Sequence, residues 1–126
     1  MTSLPDRDRG PDQGPDHDPA VVLALTALPP ELEGAVFARA LLEARLVACV
    51  SLLPGARSVY RWQGRIEEGT ETIALLKTTA DRVPLLREYL VSHHPYEVPE
   101  LLVFPVNDGL PAYLDWVRGE MGGLDA

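Results

Sequence analysis

Residues 93–100, HHPYEVPE, hold the densest group of chemically active side chains in this 126-residue chain. Imidazole is a good ligand for copper and zinc, so His93 and His94 are candidate metal ligands. Neighbouring residues on a helix point about 100° apart, so this pair cannot approach one ion as residues four apart would. A closed site would need ligands from elsewhere in the fold or from other subunits. The structural alternative is that His93 lies at the negative end of a helix and His94 is an exposed boundary residue.

Five further side chains are candidates for lining a ligand cleft. Tyr96 and Glu97 lie between two prolines, which hold the backbone extended and present one phenol and one carboxylate rigidly. The same rigidity would serve simply to turn the chain from a helix into a strand. Glu100 begins the next predicted strand, and Lys77 lies in an otherwise apolar strand, where we expect it to pair with a glutamate across the sheet. Trp62 is a candidate for an aromatic wall or for an ordinary interface residue.

Catalytic patterns are weak in this sequence. Cys49 lies between Ala48 and Val50 in an apolar run with no activating group nearby in sequence, which is typical of a buried filler rather than a nucleophile. No GxSxG elbow surrounds a serine, and neither GxGxxG nor GxxxxGK[ST] occurs. A histidine, a tyrosine and a glutamate could do acid–base chemistry, but nothing defines a substrate. We therefore expect a protein that is not an enzyme.

The composition excludes several partners. The formal net charge is -8, and Lys77 is the only lysine. Binding to nucleic acid or to an anionic membrane surface needs clustered basic residues, so we expect neither partner. No apolar run is long enough to span a bilayer, and the acidic, proline-rich first residues do not resemble a secretion signal, so we expect a cytoplasmic protein. The single cysteine excludes a disulfide framework and a multi-cysteine zinc site.

The chain divides into a tail and one domain. Residues 1–19 are rich in proline, aspartate and glycine and cannot bury enough apolar surface to fold, so we expect a disordered acidic tail. Residues 20–126 have the material for one core. Short apolar runs predict strands near residues 20–27, 46–53, 58–62, 71–79 and 100–106, with a bend at Pro54-Gly55 and a turn at Gln63-Gly64.

Helical patterns separate these strands. The first helix is predicted over about residues 30–45, starting at Pro30, with an apolar face formed by Leu32, Val36, Ala40 and Ala44 beside Phe37 and Leu41. A second helix is predicted to start at Asp81 as its cap, with Pro84 in the first turn, and to end before Pro95. A last short helix begins near Pro111.

This order predicts an α+β fold, a ferredoxin-like βαββαβ sandwich with a long kinked hairpin and an additional C-terminal helix. Two helices cover one face of a four-stranded antiparallel sheet. The other face has no helix to cover it, so self-association is the simplest way to remove that surface from water.

Several separate motifs resemble one known family. LVACVSLLPGARSVYRWQGRIEEGTETIALLKTT, SHHPYEVPELLVFPV and a late YLDWV are similar to the CutA divalent-cation tolerance proteins, over roughly residues 20–118. The resemblance implies a compact homotrimer and a link to copper and other divalent metals. His93 and His94 match the histidines to which copper binding is ascribed in some members, whereas Leu25 stands where those members carry a cysteine. Without that thiolate, an imidazole-only site would favour Cu(II) or Zn(II) and bind weakly.

Two functions follow as expectations. The first is a trimeric copper or divalent-metal tolerance and response protein that binds metal weakly through His93 and His94. Cu(II) or another divalent cation is then a possible ligand, and no cofactor is required. The alternative is a signalling or scaffold trimer similar to the PII proteins, which binds a small molecule or a partner protein in clefts between subunits. Its candidate lining residues are Trp62, Lys77, Tyr96, Glu97 and Glu100.

Overall fold

The computed structural model describes residues 19–122, so the predicted tail, apart from Pro19, lies outside the described residues. This part of the chain contains four strands and three α-helices, which follow one another in the predicted order. Their bounds are β1 (Val21–Leu28), α1 (Gly34–Glu43), β2 (Cys49–Trp62), β3 (Arg65–Thr79), α2 (Val83–His93), β4 (Leu102–Pro105) and α3 (Pro111–Gly122). None of the helices in this part of the chain has the length and apolar character needed to cross a membrane.

The four strands form one antiparallel sheet in the order β2-β3-β1-β4. This is the strand order of the ferredoxin-like sandwich, so the predicted fold class is confirmed. Helices α1 and α2 pack on one face of the sheet. The core between the layers contains apolar side chains that are almost fully removed from water, including Ala24, Leu28, Phe37, Leu41, Ala74, Leu76, Leu86 and Leu90.

Helix α1 begins later than predicted and buries a different stripe. The predicted start at Pro30 is wrong, because Glu33 is the cap and its carboxylate accepts from the backbone N–H groups of Ala35 and Val36 at 2.9 and 3.3 Å. Val36 is 65% exposed, whereas Phe37, Ala38 and Leu41 are buried. Only one of the two apolar stripes of α1 can face the core. The stripe with the larger side chains of Phe37 and Leu41 is buried because it removes more apolar area from water.

Helix α2 is preceded by a short 3-10 turn, Ala80–Arg82. The prediction that Asp81 caps this helix is wrong. Its carboxylate pairs with the guanidinium of Arg82 at 2.7 Å, and the helix has no side-chain hydrogen bond at its N-cap. Pro84 lies in the first turn as predicted. The helix ends at His93, and His94 has an extended backbone, because the residue before Pro95 is pushed out of the helical region.

Strands β2 and β3 form the predicted long, kinked hairpin. The register shifts between Leu53 and Ala56, where Pro54 cannot donate a ladder hydrogen bond and Gly55 has a φ of 77°. Gln63 and Gly64 form a two-residue turn with φ values of 50° and 79°, as a hairpin with right-handed strand twist requires.

The second face of the sheet is only partly covered by α3. Lys77 lies on this face between Leu23 on β1 and Cys49 on β2. Its ammonium group donates to Ser51 Oγ at 2.5 Å and lies 3.6 Å from Cys49 Sγ. The expected pairing of Lys77 with a glutamate is therefore wrong, because the residues opposite it in both ladders are uncharged. Burial raises the pKa of the Tyr113 phenol, and the neighbouring Cys49 raises it further. The start of α3, which carries Tyr113, therefore lies beside Cys49.

Candidate functional site

A pocket of about 580 Å³ opens where the β2–β3 hairpin meets the segment between α2 and β4. Four of the five residues predicted to line a cleft lie in its wall. The lining residues are Ala27, Ser58, Tyr60, Trp62, Glu71, Pro95, Tyr96, Glu97, Val98 and Glu100. A volume of this size is within the usual range of small-molecule sites.

Strand alternation explains the hairpin side of the pocket. Ser58, Tyr60 and Trp62 are two residues apart on β2, so their side chains leave the same face of the sheet. Glu71 is opposite Ala56 in the ladder, which places it on that face as well. The register shift near Pro54 and Gly55 resets the alternation of β2 and thereby puts the polar and aromatic positions on the pocket side.

Glu71 is held at the centre of a hydrogen-bond network. The Ser58 hydroxyl donates to Glu71 Oε1 at 2.6 Å, and the Tyr96 hydroxyl donates to Glu71 Oε2 at 3.1 Å. Each carboxylate oxygen therefore has one protein donor. Hydroxyl donors on both oxygens hold the carboxylate in one orientation.

The Tyr96 phenol is kept protonated by this arrangement. Burial and the hydrogen bond to the Glu71 carboxylate raise the pKa of Tyr96 from 10.0 to about 12. The Tyr96 hydroxyl is thus a hydrogen-bond donor throughout the physiological range and joins the segment after α2 to the hairpin.

His94 fastens this segment to β1. Its Nδ1 accepts a hydrogen bond from the backbone N–H of Tyr96 at 3.1 Å, so this nitrogen carries no proton. Its Nε2 lies 2.8 Å from the carbonyl oxygen of Ala27 and must then donate to it. The ring is buried, and both nitrogens are used. A further bond, from the Thr26 hydroxyl to the carbonyl oxygen of Glu100 at 2.7 Å, ties the other end of the segment to β1.

His93 has a different environment. Its Nδ1 lies 2.9 Å from the carbonyl oxygen of Tyr89 and donates to it, which leaves the lone pair of Nε2 for an external partner. The ring is exposed and stacks on Tyr89 with 3.9 Å between the ring centroids. His93 is thus the member of the pair that is open to a metal ion.

The structure does not bring the two histidines together as a chelate. The prediction that His94 is an exposed boundary residue is wrong, because its ring is buried and bridges two elements. Among residues 19–122, no group of three or more histidine, cysteine, aspartate or glutamate side chains is close enough to hold a metal ion. The chain by itself therefore offers one free imidazole nitrogen at the pair.

Lys77 is the one cleft candidate that lies elsewhere. It is six residues from Glu71 along β3, which is roughly 20 Å at about 3.3 Å per residue. Sequence reasoning missed Ser58 and Glu71 as site residues. The alternation of residues 58, 60 and 62 was visible in the sequence, but the contact between Glu71 and Tyr96 joins residues 25 apart and had no local signal.

The fold and the pocket define the class of protein: a ferredoxin-like α+β domain with an open cleft on the less covered face of its sheet. The profile of the CutA1 divalent ion tolerance protein family matches residues 22–120. The chain belongs to this family, which confirms the resemblance seen in the motifs.

Individual relatives agree. The "Divalent-cation tolerance protein CutA" of Thermus thermophilus is 43% identical over 100 residues, which cover 79% of this chain and 97% of that protein. The crystal structure of CutA from Xylella fastidiosa has a TM-score of 0.77 at 41% identity, covering 81% of this chain and 98% of that one. The "PII-like protein CutA" of Nostoc sp. PCC 7120 has a TM-score of 0.74 at 38% identity, covering 79% and 96%.

One further solved relative is described by its location. The "Periplasmic divalent cation tolerance protein CutA" of Archaeoglobus fulgidus has a TM-score of 0.76 at 30% identity, covering 80% of this chain and 98% of that one.

Proposed function

We propose that this member of the divalent ion tolerance family is a non-enzymatic homotrimer that binds a small molecule in its clefts. The observation that supports this most is the pocket, which brings together Trp62, Tyr96, Glu97 and Glu100 around the oriented carboxylate of Glu71. A second copy packed on the open face of the sheet would add a wall to this pocket and make it a cleft between subunits. The description of the Nostoc relative as PII-like supports the same type of function.

A thermal-shift screen of the full chain tests this proposal. The screen contains nucleotides, anionic metabolites, amines and amino acids, because a ligand that binds the folded state raises the unfolding temperature by mass action. We expect at least one compound to raise the unfolding temperature of the wild type and to lose most of that effect in Trp62→Ala. The matched control is Trp116→Ala, on α3 and outside the pocket lining.

Two results would end the small-molecule proposal. One is a complete lack of response across the screen. The other is a response that is equally large in Trp62→Ala, since binding would then occur away from this pocket.

The second candidate function is weak binding of Cu(II) or another divalent cation at the histidine pair. The observations in its favour are the family to which the chain belongs and the free Nε2 of the exposed His93. Ligands from other subunits would have to complete the coordination, because both nitrogens of His94 are hydrogen-bonded within the chain. A single imidazole supports only modest affinity.

Calorimetric titration with Cu(II) tests the role of His93 in this site. Under the metal proposal, His93→Ala abolishes the binding at this site because it removes the free nitrogen. His93→Gln removes it as well and keeps a polar side chain of similar size. Copper binding that is unchanged in both variants would rule out the histidine pair.

We also propose a cytoplasmic location, where the free thiol of Cys49 would stay reduced. The Archaeoglobus relative is described as periplasmic, so that protein has a different location. Fractionation of cells that produce the full chain decides between the two compartments.

A further inference from the structure

The charge and the walls of the pocket indicate which ligands it can accept, provided that the proposed small-molecule function is correct. Three of its lining residues are glutamates, Glu71, Glu97 and Glu100, and none of the lining residues within 19–122 is a lysine, arginine or histidine. Arg65 is the basic residue opposite Trp62 in the β2–β3 ladder. Its guanidinium pairs with the carboxylate of Glu67, at 3.6 Å. The lining is therefore strongly acidic, and an anionic ligand would meet like charge.

The carboxylate of Glu71 can accept further hydrogen bonds from a ligand. Its two oxygens each accept one hydroxyl hydrogen bond, from Ser58 and from Tyr96. A carboxylate has about four acceptor positions, so each oxygen keeps capacity for one more donor. Because the carboxylate is already oriented, an ammonium group binding there loses little additional side-chain freedom.

Aromatic surface lies beside this carboxylate. Tyr60 and Trp62 are 49% and 53% exposed, although aromatic side chains of this size are usually more buried in a small sandwich. Their rings offer apolar area for methylene groups and a favourable face for a cation. A metal ion has no methylene groups to pack on this apolar area.

The separation of the carboxylates argues against a compact cation. The glutamates of the lining do not converge into a group that could hold a metal ion, within the described part of the chain. Glu71 is on the hairpin, whereas Glu97 and Glu100 are on the segment that follows α2. A ligand with several positive charges separated by methylenes can satisfy carboxylates on both walls at once.

We propose that the pocket binds an aliphatic amine that carries more than one ammonium group. The ammonium groups pair with Glu71 and with the glutamates of the opposite wall, and the methylene chain packs on Tyr60 and Trp62.

Calorimetric titration of the full chain with spermidine, at constant ionic strength, tests this proposal. We expect saturable binding to the wild type and a loss of roughly tenfold or more in affinity in Glu71→Gln, which removes one charge-assisted contact. The matched control is Glu68→Gln, which removes the same charge from the same strand. Glu68 pairs with Arg57 at the surface and does not line the pocket, so we expect its variant to bind as the wild type does. Trp62→Leu tests the aromatic wall separately and should also weaken binding.

Several outcomes would overturn the assignment of ligand class. Equal losses in Glu71→Gln and Glu68→Gln would mean that spermidine responds only to the overall negative charge. Magnesium chloride that displaces spermidine fully at matched ionic strength would mean the same. If a nucleotide or another anion binds and depends on Trp62 while spermidine does not bind, the proposed small-molecule function stands and this ligand class is wrong. If no compound binds, both proposals fail.

Discussion

His93 and His94 are neighbours of the same residue type, and their hydrogen-bond partners give them different roles. His94 is buried and uses both ring nitrogens, one toward Ala27 and one toward Tyr96. His93 is exposed and uses one nitrogen toward Tyr89. His94 is therefore a structural residue that positions the wall of the pocket, and His93 is the residue that can meet an external ligand.

Replacement of His94 should destabilise the fold much more than replacement of His93. His94→Ala leaves the carbonyl oxygen of Ala27 without its donor and creates a cavity, so we expect a loss of about 1–3 kcal/mol in the free energy of unfolding. His93→Ala should cost less than about 1 kcal/mol, because its ring is exposed. Urea denaturation of both variants measures the difference. Equal losses would contradict the structural role of His94.

Tyr96 should make stability depend on pH in the alkaline range. Its pKa is about 12 in the folded protein, above the value of 10.0 for a free phenol. The protonated phenol is thus favoured in the folded state, so this contribution is complete below pH 10. It is lost as pH rises from 10 to 12, because the unfolded chain releases this proton first.

The comparison of wild type with Tyr96→Phe isolates this contribution from other alkaline effects. We expect the stability difference between the two proteins to shrink between pH 9 and pH 11.5, as measured by denaturant unfolding at each pH. A difference that stays constant over this range would show that the Tyr96 hydroxyl does not titrate as the structure indicates.

Among the elements, the end of α3 is joined to the rest of the fold by a buried arginine. Arg82, in the turn before α2, donates to the carbonyl oxygens of Arg45 and Met121 and pairs with Asp81. Arg82 thereby joins the end of α1, the start of α2 and the end of α3. Its guanidinium is suited to this position because it presents several donors in a fixed plane.

Loss of Arg82 should release α3. Arg82→Met keeps much of the apolar stem but leaves two carbonyl oxygens without their charged donor, so we expect a loss of about 2–3 kcal/mol in the free energy of unfolding. Arg87→Met is the matched control, since Arg87 is exposed on α2. Hydrogen exchange should show the increase in opening mainly in α3. An unchanged exchange rate there would contradict the role assigned to Arg82.

For the whole molecule, the two faces of the sheet differ in how well they are covered. One face has α1, α2 and a buried apolar core, whereas the other leaves Leu102 and Phe104 of β4 about half exposed. Large apolar side chains in one exposed patch are typical of an interface. This supports the proposed homotrimer.

A charge placed on that patch should dissociate the assembly. In Phe104→Asp a carboxylate would have to be buried between subunits, so we expect light scattering at low micromolar concentration to report a smaller particle than for the wild type. Val91→Asp is the matched control, because Val91 is exposed on the outer side of α2. A wild-type chain that is a well-folded monomer of 13.8 kDa would contradict the trimer itself.

The sequence allowed the strands, the hairpin bend and the end of α2 to be predicted. Apolar runs, Pro54-Gly55 and Pro95 act on the backbone next to them, and their effects do not depend on distant partners. The start of α1 was harder, because Pro30 and Glu33 both suit the first turn of a helix. The side chain that accepts from the free N–H groups is Glu33.

The amino-acid sequence by itself determined the type and order of the elements, the family and four of the ten residues that line the cleft. Only the tertiary structure decided which stripe of α1 is buried, which nitrogen of His94 carries the proton, and that Glu71 meets Tyr96. The physical reason is range. Backbone preferences are set by adjacent residues, whereas burial and hydrogen-bond partners are set by groups that come together only when the helices and the hairpin pack on the sheet.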